Sequence, residues 1–181
     1  MLTRKQFGTL VFTIVEVVTL VVWFALAGTV LGGIVLVGGL FLEHILADNV
    51  KNNLSLVNLR GIPYGGWFLN AAFESLLWII WLALWPLYFT DILGGLPVIA
   101  TVFLTATLIV EHSLSDNIFR DSTLLKRLFK RQVIGFSLVE VAGASIWLAL
   151  IGAGLPALGV AGLAIASFIE HTMAVRVADR A

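Results

Sequence analysis

The 181 residues include no cysteine. Disulfides, thiolate metal sites and cysteine nucleophiles are thereby excluded. Charge is scarce too: Asp, Glu, Lys and Arg make up 12% of the chain, about half the usual share of a soluble domain. So little polar sequence leaves no room for a soluble domain. Other signatures are also missing. No Walker or dinucleotide glycine motif stands before a helix in the right context. No Ser-His-Asp layout is legible. Every Lys falls at or beyond a predicted membrane edge, which argues against a Schiff base at mid-membrane. The basic residues are too few per surface for nucleic-acid binding.

What is present is apolar sequence, 60% of the chain. Runs of about 20 apolar residues recur, the length that crosses a hydrocarbon core of about 30 Å. They are continuous and do not alternate with polar residues, so they point to helices and against a β-barrel. The expectation is an all-α integral membrane bundle. Its helices are predicted near 7–27, 30–48, 67–88, 97–115, 132–151 and 156–177. Pro86 is expected to bend or end the third helix. Polar connections are expected at 49–66 and 116–131. In the second, Leu124, Leu125, Leu128 and Phe129 oppose Lys126, Arg127, Lys130 and Arg131, which suits a short helix on the membrane surface.

All eleven Lys and Arg residues fall on one side of this arrangement and none in the three opposite turns. By the positive-inside rule both termini are cytoplasmic. Arg4-Lys5, the apolar run and Ala25-Leu26-Ala27 resemble a secretory signal with its cleavage site. Glu16 interrupts that run, and the segment matches later parts of the chain, so it is expected to remain.

Every Glu and every His belongs to one layout that occurs three times: Glu, six residues, Trp, a turn, and a second helix closing on Glu-His. The copies are Glu16, Trp23, Glu43-His44; Glu74, Trp81, Glu111-His112; and Glu140, Trp147, Glu170-His171. Thr29 to Glu43, Pro97 to Glu111 and Pro156 to Glu170 are each 14 residues. This internal likeness predicts a single transmembrane domain over 1–181, built from three hairpins at about 4–53, 64–120 and 130–181 around a pseudo-three-fold axis.

At about 1.5 Å per residue, Glu43 lies about 21 Å and Glu16 about 17 Å from the outer turn. Each hairpin therefore holds its two Glu residues at similar height, toward the cytoplasmic side of the midplane. Small residues recur beside them: Gly39, Thr107 and Ala166 four before the second Glu, and Thr13, Ala71 and Ser137 three before the first. Small residues let membrane helices approach closely, so the carboxylates are expected at helix contacts. Trp23, Trp81 and Trp147 lie two turns outward, on nearly the same face, as a roof or as plain packing. Trp67, Trp78, Trp85, Tyr64 and Tyr88 are expected in interfacial belts or against lipid. Asp48 and Asp116 are expected at the interface, with Asn49 and Asn117 ending their helices.

Six crowded carboxylates in a bilayer must either hold protons or bind cations. Carboxylate oxygen with imidazole nitrogen suits iron, manganese or zinc better than magnesium or calcium. The candidate ligands are Glu16, Glu43, His44, Glu74, Glu111, His112, Glu140, Glu170 and His171, around two or three divalent or trivalent ions. Adjacent Glu-His pairs diverge by about 100° on a helix, which is the difficulty of this arrangement. The di-iron bundles use Glu-x-x-His on two of four helices; this chain does not, and their chemistry is not carried over. The leading expectation is a membrane metalloprotein with redox or oxygen chemistry on a lipid, quinone or other membrane-soluble molecule. The alternatives are a divalent-cation or proton transporter using the Glu/His layer, and a small subunit of a larger membrane complex with a structural metal. Expected partners are lipid and either a second copy or such a complex.

Overall fold

The computed structural model describes residues 2–59, 64–89, 96–118 and 131–178. It contains six helices and no strand among these residues: α1 (Arg4–Ala25), α2 (Val30–Lys51), α3 (Tyr64–Phe89), α4 (Leu96–Ile118), α5 (Arg131–Gly152) and α6 (Pro156–Ala178). Five of them are long and apolar enough to cross a membrane. In α4 the described apolar stretch is Val102–Ser113. The surface helix expected within 116–131 and the turn at Asp91, Gly94 and Gly95 lie outside the described residues.

Local chemistry fixes the ends. Thr3 caps α1 in a reciprocal box: its hydroxyl accepts from Gln6 N at 3.2 Å, and Thr3 N donates to Gln6 Oε1 at 2.9 Å. Thr29 caps α2, accepting from Gly32 N at 3.0 Å. Gly28 (φ +82°) and Gly154 (φ +76°) make the left-handed steps that the α1–α2 and α5–α6 turns need. The third helix runs through Pro86 to Phe89 and does not end there.

The second helix also outlasts its expected end by three residues, reaching Lys51. Asn49 does not terminate it. Its side chain is buried, and Nδ2 donates to Leu56 O at 2.9 Å and Asn58 O at 3.2 Å. The backbone helix satisfies itself, and the amide instead ties down the following loop. Arg4 joins this anchor by donating to Leu54 O at 2.9 Å.

Helix contacts run α1–α2, α2–α3, α3–α4, α4–α5, α5–α6 and α6–α1, closing a ring, with a slighter contact of α2 with α6. Small residues permit the tightest approaches. A Cβ on Gly39 would lie 2.0 Å from Thr19 Oγ1, and one on Gly143 would lie 2.3 Å from Ala166 Cβ.

Polarity is reversed relative to a water-soluble bundle. Phe7, Ile14, Val18, Leu31, Ile34, Leu69 and Ile165 are exposed, whereas all six Glu residues are buried. An exposed apolar surface on this scale needs a cover, and lipid is the solvent in which it costs nothing. Toward the α1–α2 and α5–α6 turns, Leu20, Leu36, Leu40, Leu104, Leu108 and Leu163 pack with Trp23, Trp78, Trp81 and Trp147 in one buried cluster. A smaller cluster of Phe12, Leu46, Ala47, Val50 and Val175 lies toward the basic end, with Leu56 against it.

Candidate metal centre

All six Glu residues and all three His residues line one small cavity of about 40 Å³. The Glu-His adjacency proves no obstacle. If the cavity lies between the two directions, each side chain is only about 50° off axis, and both members of every pair reach it. Lys51 lines it as well.

The geometry is best read from the three imidazoles. His171 Nδ1 lies 2.8 Å from Thr13 Oγ1. That hydroxyl donates its one hydrogen to Thr9 O at 2.8 Å, so it can only accept from the ring. His112 Nδ1 lies 2.8 Å from Ser137 Oγ, which likewise donates to Val133 O at 2.9 Å. Both rings therefore carry their hydrogen on Nδ1 and leave the Nε2 lone pair free. His44 differs: both its nitrogens face carboxylates, Nδ1 2.9 Å from Glu43 Oε2 and Nε2 3.1 Å from Glu74 Oε2, so no hydroxyl fixes its tautomer.

Each Nε2 faces carboxylate oxygens. His171 Nε2 is 3.1 Å from Glu170, 3.6 Å from Glu16 and 3.7 Å from Glu43. His112 Nε2 is 3.3 Å from Glu140, 3.5 Å from Glu111 and 3.9 Å from Glu170. His44 Nε2 is 3.1 Å from Glu74. Ligand atoms of His44, Glu74 and Glu111 all lie within 4.8 Å of one another, and this group could hold a metal ion. Buried Oε2 atoms of Glu16, Glu74 and Glu140 lack a partner in hydrogen-bond geometry among the described residues. Buried polar atoms are ordinarily satisfied, and these three oxygens face the imidazole Nε2 atoms at 3.6, 3.1 and 3.3 Å.

Several contributors escaped the sequence reading. Phe12 packs on His171 with ring centroids 4.5 Å apart, and Phe136 on His112 at 4.8 Å. Asn70 stands at the corresponding place beside His44. Its Nδ2 donates to Glu111 Oε1 at 2.6 Å and lies 3.1 Å from His44 Nε2. Trp78 is no interfacial residue: it is fully buried, and its Nε1 donates to Glu74 Oε1 at 3.2 Å. Its place four residues after Glu74, on the same helix face, was the available signal. Trp67 is buried as well and does not face lipid. Burial wins because α3 is enclosed by α2 and α4 on this side. The side chains of Trp85, Tyr64 and Tyr88 lie outside the described ones.

Trp23, Trp81 and Trp147 are buried together in the apolar cluster. Trp147 packs edge-on against Phe24 at 5.2 Å, and Trp81 against Trp78 at 5.4 Å. Trp23 also lines a lateral groove of about 420 Å³ with Gly28, Gly33, Ile79 and Leu82. Compared with protein-family models, curated proteins and solved structures, the chain gives no match.

Proposed function

We propose that the chain is an integral membrane metalloprotein. In this reading six spans form one transmembrane domain, three hairpins about a pseudo-three-fold axis, with both termini cytoplasmic. The Glu/His layer holds a polynuclear centre of iron, manganese or zinc, with three ions as the full complement. One observation carries this. His171 and His112 have Nδ1–H taken by a hydroxyl, so each turns a Nε2 lone pair toward carboxylate oxygens. Lone pairs facing one another at such distances repel unless a positive charge lies between them. Metal ions answer both contacts at once, and outer hydrogen bonds to Nδ1–H are how metal-binding imidazoles are ordinarily oriented.

The donors divide into roles. Each His serves one ion. Glu74, Glu140 and Glu16 each approach a single His and suit terminal ligation. Glu170 presents one oxygen to His112 and the other to His171, which suits a bridge. Glu111 belongs to the His44 group and also approaches His112, a second bridge. Glu43 gives one oxygen to the His171 corner and spends the other orienting His44. Six carboxylates balance three divalent ions without help from solvent.

Redox or oxygen chemistry is the use that this donor set and its apolar surroundings favour. A membrane-soluble molecule, such as a quinone or lipid, would meet the protein at the lateral groove beside Trp23. Cation or proton transit is the competing use, and it needs polar access on both sides of the layer. The described core on the outer side is leucine and tryptophan, which weighs against it. Metal content of Glu43→Gln and His112→Ala tests the reading. Both should fall below the wild type by about one ion or more. Unchanged stoichiometry in both would overturn it.

A further inference from the structure

Four residues after the first Glu of each copy stand Leu20, Trp78 and Ala144. All three are fully buried, and only the middle copy has an indole there. Trp78 Nε1 donates to Glu74 Oε1 at 3.2 Å. The other oxygen of Glu74, Oε2, lies 3.1 Å from His44 Nε2 and has no partner in hydrogen-bond geometry among the described residues. The carboxylate is thus divided, with one oxygen turned to the place of an ion and the other to the indole. Glu16 and Glu140 have an aliphatic side chain at the corresponding position. Satisfying a carboxylate does not by itself call for an indole. Asn70 does as much for Glu111 with an amide, at 2.6 Å.

What an indole adds is its electrons. It is the most easily oxidised of the apolar side chains, and its N–H, a donor only, becomes strongly acidic once an electron has left. In apolar surroundings the charged radical would be costly. A carboxylate oxygen already in contact takes the proton and leaves both partners neutral. Trp81 stands in edge contact with Trp78, ring centroids 5.4 Å apart and planes 82° apart. It lies three residues further from the Glu layer on α3, about 4.5 Å along the axis. Its chain neighbours Ile79, Leu82 and Ala83 line the lateral groove. The two indoles lead from a proposed metal ligand toward that groove.

We propose that Trp78 is the electron donor of the centre, giving one electron to an oxidised metal ion while its indole proton passes to Glu74 Oε1. This rests on the redox reading above. The step balances: the ion falls by one charge, Glu74 becomes a carboxylic acid, and a neutral indolyl radical remains. A membrane-soluble reductant returns the electron by way of Trp81, and Glu74 returns the proton. In the test the oxidant is hydrogen peroxide. The full chain would be loaded with iron(II), its iron content measured, and the sample mixed with peroxide and frozen within milliseconds for electron paramagnetic resonance. The expected result is an organic radical whose signal narrows in protein made with ring-deuterated tryptophan and resists power saturation, because iron is one ligand away. Trp78→Phe should give at least tenfold less radical at equal iron, and Trp81→Phe should keep it. Equal radical in Trp78→Phe, loss of the radical in Trp81→Phe, or no radical in the loaded wild type would overturn this inference and leave the metal centre standing. Loss of iron from Trp78→Phe would overturn it too, since the hydrogen bond would then serve to hold the ligand. If Trp78→Phe does not fold, the wild type decides: a signal that does not narrow, or that saturates like an isolated radical, would contradict the assignment. Absence of iron from the wild type would overturn the metal reading itself.

Discussion

Two of the three imidazole corners are alike, and the third is not. At His171 the ring lies on Phe12 and gives Nδ1–H to Thr13. At His112 the ring lies on Phe136 and gives Nδ1–H to Ser137. Phe and a hydroxyl residue are consecutive in both places, four and three positions before a Glu. At His44 the same two positions are Asn70 and Ala71. The apolar partner has become an amide and the hydroxyl has been lost. Glu43 stands at Nδ1 instead, and Asn70 donates where a metal ion would sit between His44 Nε2 and Glu111. The difference teaches that two corners fix their ring by a hydroxyl, whereas the third sets its ring between two carboxylates. It also makes one corner unequal to the other two: an ion arriving there must displace an amide hydrogen bond.

Variants can break or sharpen that contrast. The largest effect is expected from His171→Ala, which removes the nitrogen approached by Glu170, Glu16 and Glu43. At least one ion should be lost outright, as elemental analysis of the purified variant would read. Next come Thr13→Ala and Ser137→Ala, which leave every proposed ligand in place but free two rings to turn. Loss of such outer partners typically costs about 10–100-fold in metal affinity. Competition with a chelator should show this, and Thr13→Ser should recover most of it. A merely structural role would lower thermal stability and leave the chelator curve where it was. The smallest effect, and the one of opposite sign, belongs to Asn70→Ala. A net hydrogen bond is worth about 1 kcal/mol, so removing the competing amide should tighten one ion by about fivefold. Weaker binding in Asn70→Ala would mean that the amide supports the ion and does not compete with it.

Much of this was legible in the residues. Unbroken apolar runs gave the helices, because a bilayer demands internally satisfied backbone over a fixed length. Restriction of Glu and His to one layout pointed to a shared layer, because burying carboxylates is too costly to happen without a use. Helix ends were less legible. Asn49 reads as a terminator, but backbone hydrogen bonding carries α2 past it to Lys51. Side chains of mixed character were least legible. Asn70 and Trp78 look like ordinary membrane-helix residues until the neighbouring helix supplies Glu111 and the same helix Glu74. Lys51 reads as a topological charge, and only the packed bundle shows it lining the cavity. Such roles depend on which helix faces which, and the ring of contacts is not written in any one segment.

The most direct test of the central claim is elemental analysis of the detergent-solubilised chain, purified without added metal and without a histidine tag. The account predicts two or three equivalents of iron, manganese or zinc per chain. A folded protein that contains none, and that takes up none when iron, manganese and zinc are supplied, would contradict it.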